Sequence, residues 1–448
     1  MKRREFLQGA AAGGAGLLLP RGARGRSERP NILFVMVDQE RYPLHDDPVS
    51  RPQRDRLLST TVQFNNHHTV FPLCSPSRAS LMTGRYPHEF GINANIYADK
   101  VIPELSPDVP NLGNVFSEAG YQTGYFGKWH LTHHVRHWRT PRHYGFDGRI
   151  SNERIAVGSD PLVAREAAWW VRRHEDQGPW FMVCSLINPH DICYPPYDPL
   201  YPSMSDKKVS TPPNLEVDHS DNVKAVQLHP DNNRARYDSV GGDWVSNLEY
   251  YHDLIMDADK NLGILLDALE DTGQDRNTIV VFTSDHGEMA GSHGLLNKGL
   301  IYEEACRVPL WISIPWLSGG QERTDMTSHL DFVPTLCGLA GVEWPDKLAG
   351  RDLRPERGAA AVGPVSHIFM EGSAGDLQKT IPWRGLCTGD WKYALFMNGE
   401  EQLFYIPDDP LEMNNLANKG TAGAEKRRFR KMVNDWRRET GDTLRGGL

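Results

Sequence analysis

Four stretches of the chain are almost continuously apolar, at residues 31–37, 180–187, 278–283 and 308–314. Runs of this length are typical of parallel strands that are buried on both faces of a sheet. Residues 246–270 carry apolar side chains at helical spacing and stop before Gly273, so this segment is predicted to be a helix. Buried strands that alternate with helices predict an α/β fold, with a large mixed, mostly parallel sheet sandwiched by helices.

The pattern changes towards the C-terminus. Residues 350–365 have the composition of a linker, and four short strand-like segments follow it, at residues 367–370, 383–388, 392–396 and 402–406. A charged helical segment at 423–439 comes after them. We therefore expect a large α/β domain at 28–355 and, at 356–448, a smaller C-terminal subdomain in which a helix packs on an antiparallel sheet.

Polar side chains follow two of the predicted strands at the point where each strand ends. Asp38 and Gln39 come after the first strand, and Asp285 and His286 come after the third. Ligands of open α/β sheets bind at the carboxyl ends of the strands, so two such ends with metal-binding side chains predict one shared site. The alternative is that each aspartate only caps the helix that follows it.

Charge and length narrow the possible functions. The 448 residues carry a formal net charge of −9, which argues against nucleic-acid binding because that needs a basic surface. Beyond the N-terminus the chain has no run of 18 or more apolar residues, so no membrane span is expected.

The N-terminus has the pattern of an export signal. Arg3 and Arg4 precede Phe6 and Leu7, and a short stretch rich in glycine and alanine follows. This pattern resembles a twin-arginine signal peptide, which we assign to residues 1–27; a basic disordered tail is the alternative. The assignment predicts a periplasmic or secreted protein that crosses the membrane already folded.

The cysteine content does not predict a disulfide framework. Six cysteines would allow disulfides in an oxidising compartment. However, Cys184 lies inside an apolar run and is expected to be a buried thiol. If Cys74 is used chemically, the remaining number is odd, so a full set of pairs is not expected.

Cys74 opens the segment with the most specific chemistry. Residues 74–85 read C-S-P-S-R-A-S-L-M-T-G-R, a helix-like run that ends at Gly84. A nucleophile at a helix N-terminus meets the positive end of the helix dipole, which favours anions, and Arg78 adds a fixed charge one turn on. The C-x-P-x-R pattern and its continuation resemble the signature of the sulfatases, the arylsulfatase branch of the alkaline-phosphatase-like superfamily. In that family a formylglycine-generating enzyme oxidises this cysteine to formylglycine, and the aldehyde hydrate is the nucleophile.

Further segments resemble the same family in matching order. They are the strand end at Asp38, Gly127-Lys128-Trp129-His130, Asn188-Pro189-His190, Asp285-His286-Gly287-Glu288, His293-Gly294, Lys298-Gly299 and, near the C-terminus, Gly389-Asp390-Trp391-Lys392-Tyr393 and Leu403-Phe404-Tyr405. The resemblance therefore covers nearly all of the chain after residue 30.

The resemblance implies a site and a mechanism. One divalent cation would be held by Asp38, Gln39, Asp285 and His286 together with residue 74. Arg78 would anchor the modified residue, while Lys128 and Lys298 neutralise charge on the transferred group. His190, with Lys298, would protonate the departing alcohol, and His130 would take a proton from the second hydroxyl of the hydrate. Glu288 is left out of this site because it also suits the start of a helix.

Two residue pairs depart from a common pattern of the family. Many sulfatases have two adjacent acids at the first strand end and Asp-Asn at the later one, where this chain has Asp38-Gln39 and Asp285-His286. Ca²⁺ is expected first, but the imidazole makes Mn²⁺ or another transition metal the alternative. These pairs are similar to those of phosphonate monoester hydrolases and phosphodiesterases, which gives the alternative function.

The sequence thus predicts a sulfatase that hydrolyses a sulfate monoester, of a carbohydrate or a small molecule, to an alcohol and sulfate. The third interpretation is a binding protein that keeps the fold without the modified cysteine. Residues 133–139 and the long aperiodic segment 191–243 are expected to line the mouth of the pocket.

Overall fold

The computed structural model describes residues 29–43, 49–97, 101–133, 141–151, 158–175, 177–193, 209–220, 222–227, 243–354, 365–374 and 381–444. The predicted signal at 1–27 and the predicted domain boundary at 355/356 lie outside these residues, as do 134–140 and 194–208 at the expected pocket mouth.

The described residues form fourteen strands: β1 Asn31–Asp38, β2 Thr61–Phe64, β3 His67–His68, β4 Gln122–Lys128, β5 Asp147–Ser151, β6 Trp180–Pro189, β7 Thr278–Ser284, β8 Leu310–Ser313, β9 Gln321–Arg323, β10 Thr327–Ser328, β11 Ile368–Ala374, β12 Ile381–Cys387, β13 Trp391–Phe396 and β14 Glu401–Tyr405.

They also form nine α-helices: α1 Pro52–Asp55, α2 Cys74–Thr83, α3 Leu112–Glu118, α4 Asp160–Arg173, α5 Lys224–Gln227, α6 Trp244–Asp271, α7 Glu303–Cys306, α8 Phe332–Ala340 and α9 Gly423–Glu439. Short 3₁₀ turns lie at Leu58–Thr60, Pro87–Phe90, Arg142–Tyr144, His190–Cys193, Gln274–Asn277, Ser292–Gly294, His329–Asp331 and Gly420–Ala422.

Eight strands form one sheet in the order β5-β4-β6-β1-β7-β8-β2-β9. All neighbours are parallel except at β8, which is antiparallel to both β7 and β2. The predicted α/β class and the mostly parallel sheet are confirmed, but the apolar run at 308–314 does not join the parallel set. Residues 285–309 connect β7 to β8 and contain only the four residues of α7 as α-helix, whereas a parallel crossover usually carries a longer helix that covers the sheet.

Strand β1 shows why both faces of this sheet are covered. Ile32, Phe34 and Met36 point into a cluster with residues of α2, α3 and α8. The residues between them, Leu33 and Val35, pack with α4 and α6 on the opposite face. Because successive side chains of a strand alternate in direction, a continuous apolar run can serve two helical layers at once.

Strands β11–β14 form a separate antiparallel sheet in sequence order. One face packs on α9 through a cluster that includes Leu403, Phe429 and Val433. The other face packs, through Trp383 and Phe404, on the segment around Ile301 that follows β7. The predicted subdomain architecture is therefore present, and its sheet lies against the segment that follows β7.

None of the described helices is both long and apolar enough to cross a membrane. All six cysteines are free thiols in the structure, and five of them are buried.

Candidate active site

Helix α2 begins at Cys74, as the sequence predicts. Leu73 before it is extended (φ −157°, ψ 145°), and Gly84 ends the helix with φ 68°. Positive φ costs glycine little, which explains the glycine at this helix end. The whole helix is buried, and its N-terminal turn presents Cys74 at the positive end of the helix dipole.

Four side chains converge at this point. The ligand atoms of Asp38, Cys74, Asp285 and His286 all lie within 4.8 Å of one another, and all four residues are buried. The Cys74 Sγ is 3.1 Å from His286 Nε2 and 3.8 Å from Asp38 Oδ1. His286 Nε2 is 3.7 Å from Asp38 Oδ1 and 3.5 Å from Asp285 Oδ1. The structure thus brings together residues from β1, α2 and the end of β7.

Sheet register explains why the two aspartates meet. Strands β1 and β7 are parallel neighbours, and Val37 pairs with Ser284. The next residue of each strand is the aspartate, so Asp38 and Asp285 leave the same edge of the sheet side by side.

Arg78 orients both carboxylates. Its Nη2 is 2.8 Å from Asp38 Oδ2, and its Nε is 2.8 Å from Asp285 Oδ2. Its Nη1 donates to Lys128 O at 2.7 Å and to Ser185 Oγ at 2.9 Å. The guanidinium therefore takes the Oδ2 atoms, while both Oδ1 atoms face His286.

The imidazole of His286 is oriented by its own neighbours. Its Nδ1 is 2.9 Å from Gly287 O, so Nδ1 carries the proton and donates it to this carbonyl. The lone pair is then on Nε2, which faces Cys74 and the two aspartates. Asp285 Oδ1 also accepts from the backbone N–H groups of Gln39 (3.1 Å) and His286 (2.9 Å).

Two lysines bring positive charge to the cluster. Lys128 Nζ is 2.8 Å from Asp38 Oδ2 and 3.9 Å from Cys74 Sγ. Burial lowers the pKa of Lys128, but the negative charges of Asp38, Cys74 and Asp285 together outweigh burial and raise it above the usual value. Lys298 donates to the side-chain oxygen of Gln39. The pKa of Lys298 is also raised, because the charge of Cys74 and other anions outweighs its burial.

The surrounding charges shift the pKa values of Asp38, Asp285 and Cys74 in different directions. Burial raises the pKa of Asp38, but the positive charges around it, led by Lys128 and including Arg78, outweigh burial and hold it well below the usual range. The pKa of Asp285 is raised, by burial and then by Asp38. For Cys74, burial and Asp38 raise the thiol pKa, yet Lys128, Lys298 and His286 lower it further, so the net shift is downward. The cluster therefore favours anionic groups at residues 38 and 74.

The surroundings of two further histidines, His130 and His190, favour the neutral imidazole. Burial, followed by the charge of Lys128, holds the pKa of both His130 and His190 well below the usual value. His130 has φ 57°, and its carbonyl accepts from Ser75 Oγ at 2.6 Å, which ties it to α2. His190 begins the 3₁₀ turn after β6.

Sequence reasoning missed Glu288 as a contact of the site. Glu288 accepts from the side-chain Nε2 of Gln39, from Ala290 N at 3.0 Å and from Asn297 N at 2.6 Å. It therefore holds the Gln39 amide with its oxygen towards Lys298. The acidic residue next to Asp285-His286 was visible in the sequence, but its partner lies 249 residues away in the chain.

Asp160, at the start of α4, was also missed. Its carboxylate accepts from Ile187 N and Asn188 N, both at 2.8 Å, and so fixes the end of β6 just before His190. Burial raises the pKa of Asp160 to about 7, although these two backbone donors partly oppose the shift.

Ser77, a residue of α2, connects this helix to the end of β7. Ser77 Oγ donates to Asp285 O and lies 3.1 Å from His329 Nδ1. His293, which follows Glu288, instead stacks on Tyr302 with ring centroids 4.0 Å apart.

Comparison with known proteins gives the same family for most of the chain. The sulfatase family model matches residues 30–342, and the model of the C-terminal part of N-sulphoglucosamine sulphohydrolase matches residues 291–439. Ulvan-active sulfatase of Formosa agariphila is 28% identical over 438 residues, which are 87% of this chain and 78% of that protein. Choline-sulfatase of Rhizobium meliloti is 28% identical over 440 residues, with shares of 87% and 82%.

Solved structures share the fold. A 2-O GAG sulfatase superposes with a TM-score of 0.81 at 25% identity and covers 94% of this chain and 95% of its own. A phosphonate monoester hydrolase of Agrobacterium radiobacter reaches a TM-score of 0.71 at 23% identity, with shares of 92% and 96%, and this likeness concerns the fold alone.

Proposed function

The chain belongs to the sulfatase family, whose members hydrolyse sulfate esters, and we propose that it removes sulfate from a sulfated carbohydrate with a formylglycine made from Cys74. The observation that carries the proposal is the buried cluster of Asp38, Cys74, Asp285 and His286 at the start of α2. The relatives named for ulvan and for GAG support a carbohydrate substrate, while the relative named for choline keeps a small ester as the other candidate.

The residues of the cluster fit one divalent cation. Two carboxylate oxygens and an imidazole nitrogen face one point, and Gln39 lies beside them. We assign Asp38, residue 74, Asp285 and His286 as its ligands, and Gln39 joins them when its amide oxygen exchanges Lys298 for the ion. Ca²⁺ is the first choice, and Mn²⁺ or another transition metal is the alternative. When bound, a divalent cation polarises a sulfate oxygen and lowers the pKa of the attacking hydroxyl.

Formylglycine supplies the nucleophile. Conversion of Cys74 by a formylglycine-generating enzyme would give an aldehyde hydrate, of which one hydroxyl attacks sulfur and the other allows sulfate to be released. Arg78 anchors this residue indirectly, since it fixes the two carboxylates on either side of it. Lys128, 3.9 Å from the atom that the hydroxyl replaces, stabilises negative charge on the sulfate oxygens.

Two histidines handle the protons. His130 is neutral in the free protein, which suits a base that accepts the proton of the second hydroxyl. His190, with Lys298, donates a proton to the departing alcohol. Lys128 lowers the pKa of His190 in the free protein, and the negative charge of a bound ester acts in the opposite direction, so substrate binding favours protonation of His190.

We further propose that residues 1–27 are a twin-arginine signal and that the protein acts in the periplasm or outside the cell. The support is the Arg3-Arg4 pair and the weakly apolar stretch after it. Fusion of residues 1–27 to a reporter, with Arg3→Lys and Arg4→Lys as the control, tests this proposal: export must depend on the arginine pair.

The proposed function is tested by the mass of the peptide that contains residue 74 and by the rate of substrate turnover. Mass spectrometry of the peptide that contains residue 74 detects the aldehyde, and the same preparation is assayed with an aryl sulfate and an aryl phosphonate. Sulfate turnover by the converted protein is expected. Faster phosphonate turnover would favour the alternative, a phosphonate monoester hydrolase or phosphodiesterase, which the Asp38-Gln39 and Asp285-His286 pairs support.

A further inference from the structure

The gene encodes a thiol at residue 74, and this changes the chemistry of the cluster. As encoded, the four converging side chains offer one sulfur, one imidazole nitrogen and two carboxylate oxygens. We infer that the unconverted chain binds Zn²⁺, or a similar dication that prefers thiolate, through Asp38, Cys74, Asp285 and His286. The role of conversion in this inference rests on the proposed function, whereas the binding itself does not.

The distances fit a tetrahedral site. Zinc bonds of about 2.3 Å to sulfur and about 2.0–2.2 Å to nitrogen and oxygen place tetrahedral ligand atoms about 3.3–3.6 Å apart. The measured separations are 3.1 Å from Cys74 Sγ to His286 Nε2 and 3.8 Å from Cys74 Sγ to Asp38 Oδ1. Those from His286 Nε2 are 3.7 Å to Asp38 Oδ1 and 3.5 Å to Asp285 Oδ1. These four separations differ from a tetrahedral set by a few tenths of an ångström, and the remaining two, from Asp285 to Cys74 and to Asp38, are within 4.8 Å.

Hydrogen bonds already orient the donor atoms of Asp38, Asp285 and His286 towards Cys74. Arg78 holds the Oδ2 atoms of Asp38 and Asp285, and Gly287 O accepts from the Nδ1 of His286. These contacts leave the Oδ1 atoms and Nε2 on the side of Cys74. Partners that orient metal ligands in this way typically contribute 10- to 100-fold to metal affinity, so the set is preorganised.

The same set is a poor calcium site before conversion. Ca²⁺ takes 6–8 oxygen ligands, whereas sulfur and nitrogen make up half of this set. The amide oxygen of Gln39, which could add an oxygen, accepts from Lys298. Conversion of Cys74 exchanges the sulfur for oxygen, so it removes the ligand that selects zinc and adds one that suits a hard cation. The oxidation state of residue 74 thus sets the preferred metal.

A second group provides an internal comparison. Among the described residues, His68, Glu303 and Cys387 are also close enough to hold an ion. There, however, Lys392 Nζ lies 2.5 Å from Glu303 Oε1, the same oxygen that His68 Nε2 contacts at 3.1 Å, so the lysine occupies the ligand atom itself. Zinc is not expected at this group. In the cluster at Cys74, by contrast, Lys128 and Arg78 contact the Oδ2 atoms and leave the Oδ1 atoms to an ion.

The test uses the full chain produced without the formylglycine-generating enzyme, with the thiol at residue 74 verified by alkylation and mass. After chelation, Zn²⁺ and Ca²⁺ are titrated by calorimetry, and Co²⁺ by absorption. We expect one Zn²⁺ per chain, bound on the order of a thousandfold more tightly than Ca²⁺. Cobalt should show tetrahedral visible bands and a thiolate charge-transfer band in the near ultraviolet.

Two matched variants assign the site. Cys74→Ser should lose the charge-transfer band and weaken zinc binding on the order of 100-fold, while Cys387→Ser should change neither. Unchanged zinc binding in Cys74→Ser, or loss of the band in Cys387→Ser, would overturn the inference. So would the absence of the band in the unsubstituted chain, a result that does not depend on how any variant folds. Turnover is measured separately on converted protein, so failure of the proposed function is distinguished from failure of this inference.

Discussion

Replacement of Arg78 by lysine is the most direct test of how the site is held together. Arg78 is fully buried and makes four hydrogen bonds, to Asp38 Oδ2 (2.8 Å), Asp285 Oδ2 (2.8 Å), Lys128 O (2.7 Å) and Ser185 Oγ (2.9 Å). A lysine keeps the positive charge but has a single nitrogen, so it cannot reach both carboxylates and the other two acceptors.

The expected loss of stability follows from those four contacts. Removing one partner of a buried ion pair costs about 3–5 kcal/mol, and each buried acceptor left unsatisfied costs about 1–3 kcal/mol. Because lysine retains the charge and one of the contacts, we expect Arg78→Lys to lower the free energy of unfolding by about 3 kcal/mol. Equilibrium urea unfolding of the metal-free protein, followed by tryptophan fluorescence, measures this difference.

Arg56→Lys is the matched control. Arg56 also contacts two carboxylates, Asp267 at 2.9 Å and Glu270 at 2.7 Å, but its side chain is 30% exposed and theirs are 62% and 57% exposed. Exposed pairs contribute about 0–1 kcal/mol, so this variant should unfold almost as the wild type does. If Arg78→Lys loses no more stability than Arg56→Lys, Arg78 is not the residue that holds the two carboxylates together.

Three further predictions concern turnover and pH. Cys74→Ala should abolish sulfate release in a turnover assay and leave the urea midpoint nearly unchanged, because it removes only the nucleophile; substantial remaining activity would contradict that role. His190→Ala should slow substrates with poor leaving groups more than nitrophenyl sulfate, which needs little protonation, and an equal loss across a leaving-group series would argue against His190 as the acid. Asp160→Asn tests the raised pKa of Asp160, about 7. A carboxyl with a raised pKa binds more protons in the folded state than in the unfolded state, so its contribution to stability falls as the pH rises. The free energy of unfolding of the wild type should therefore decrease, relative to that of the variant, by about 2–3 kcal/mol from about pH 5 to pH 8. A pH-independent difference between the two unfolding curves would show that the pKa of Asp160 is not raised.

Periodicity predicts four of the eight strands of the large sheet, β1, β6, β7 and β8, because each is a nearly continuous apolar run; β2, β4, β5 and β9 were not predicted. The apolar run at 31–37 becomes β1, Asn31–Asp38, and the run at 180–187 lies within β6, Trp180–Pro189. The C-terminal strands were found in the same way, within a few residues at their ends. The order of the strands was not predictable, because it depends on which runs pair and not on the pattern within any one of them.

Strand direction shows where pattern reasoning ends. The run at 308–314 has the composition of its neighbours, yet β8 is antiparallel to both of them. Composition indicates that both faces are buried, whereas strand direction depends on the connection, and residues 285–309 lack the long covering helix that usually accompanies a parallel crossover.

The candidate site was predictable to the extent that strand ends carry unusual side chains. Asp38, Asp285 and His286 stand out because they follow apolar strand-like runs directly, and the structure brings them to Cys74. Ser185 and Glu288, by contrast, look ordinary in the sequence, since their importance lies in partners 107 and 249 residues away, Arg78 and Gln39. Contacts of that kind appear only when the chain is folded.

The small C-terminal sheet contributes to the site by supporting Lys298. Trp383, which is fully buried on β12, donates from its indole nitrogen to Gly299 O at 2.8 Å. Gly299 has φ 101°, and a Cβ there would lie 2.8 Å from Ser373 O on β11.

Gly299, the residue after Lys298, therefore has a positive φ and lies close to the second sheet. Glycine can satisfy both conditions without strain because it has no Cβ. Lys298 in turn contacts Gln39 at the end of β1. The two sheets are linked through this lysine, and the pairing of the C-terminal sheet with the segment after β7 fixes where its charge lies. The C-terminal segment is thus part of the unit that forms the active site, even though the four converging donors all come from residues before 300.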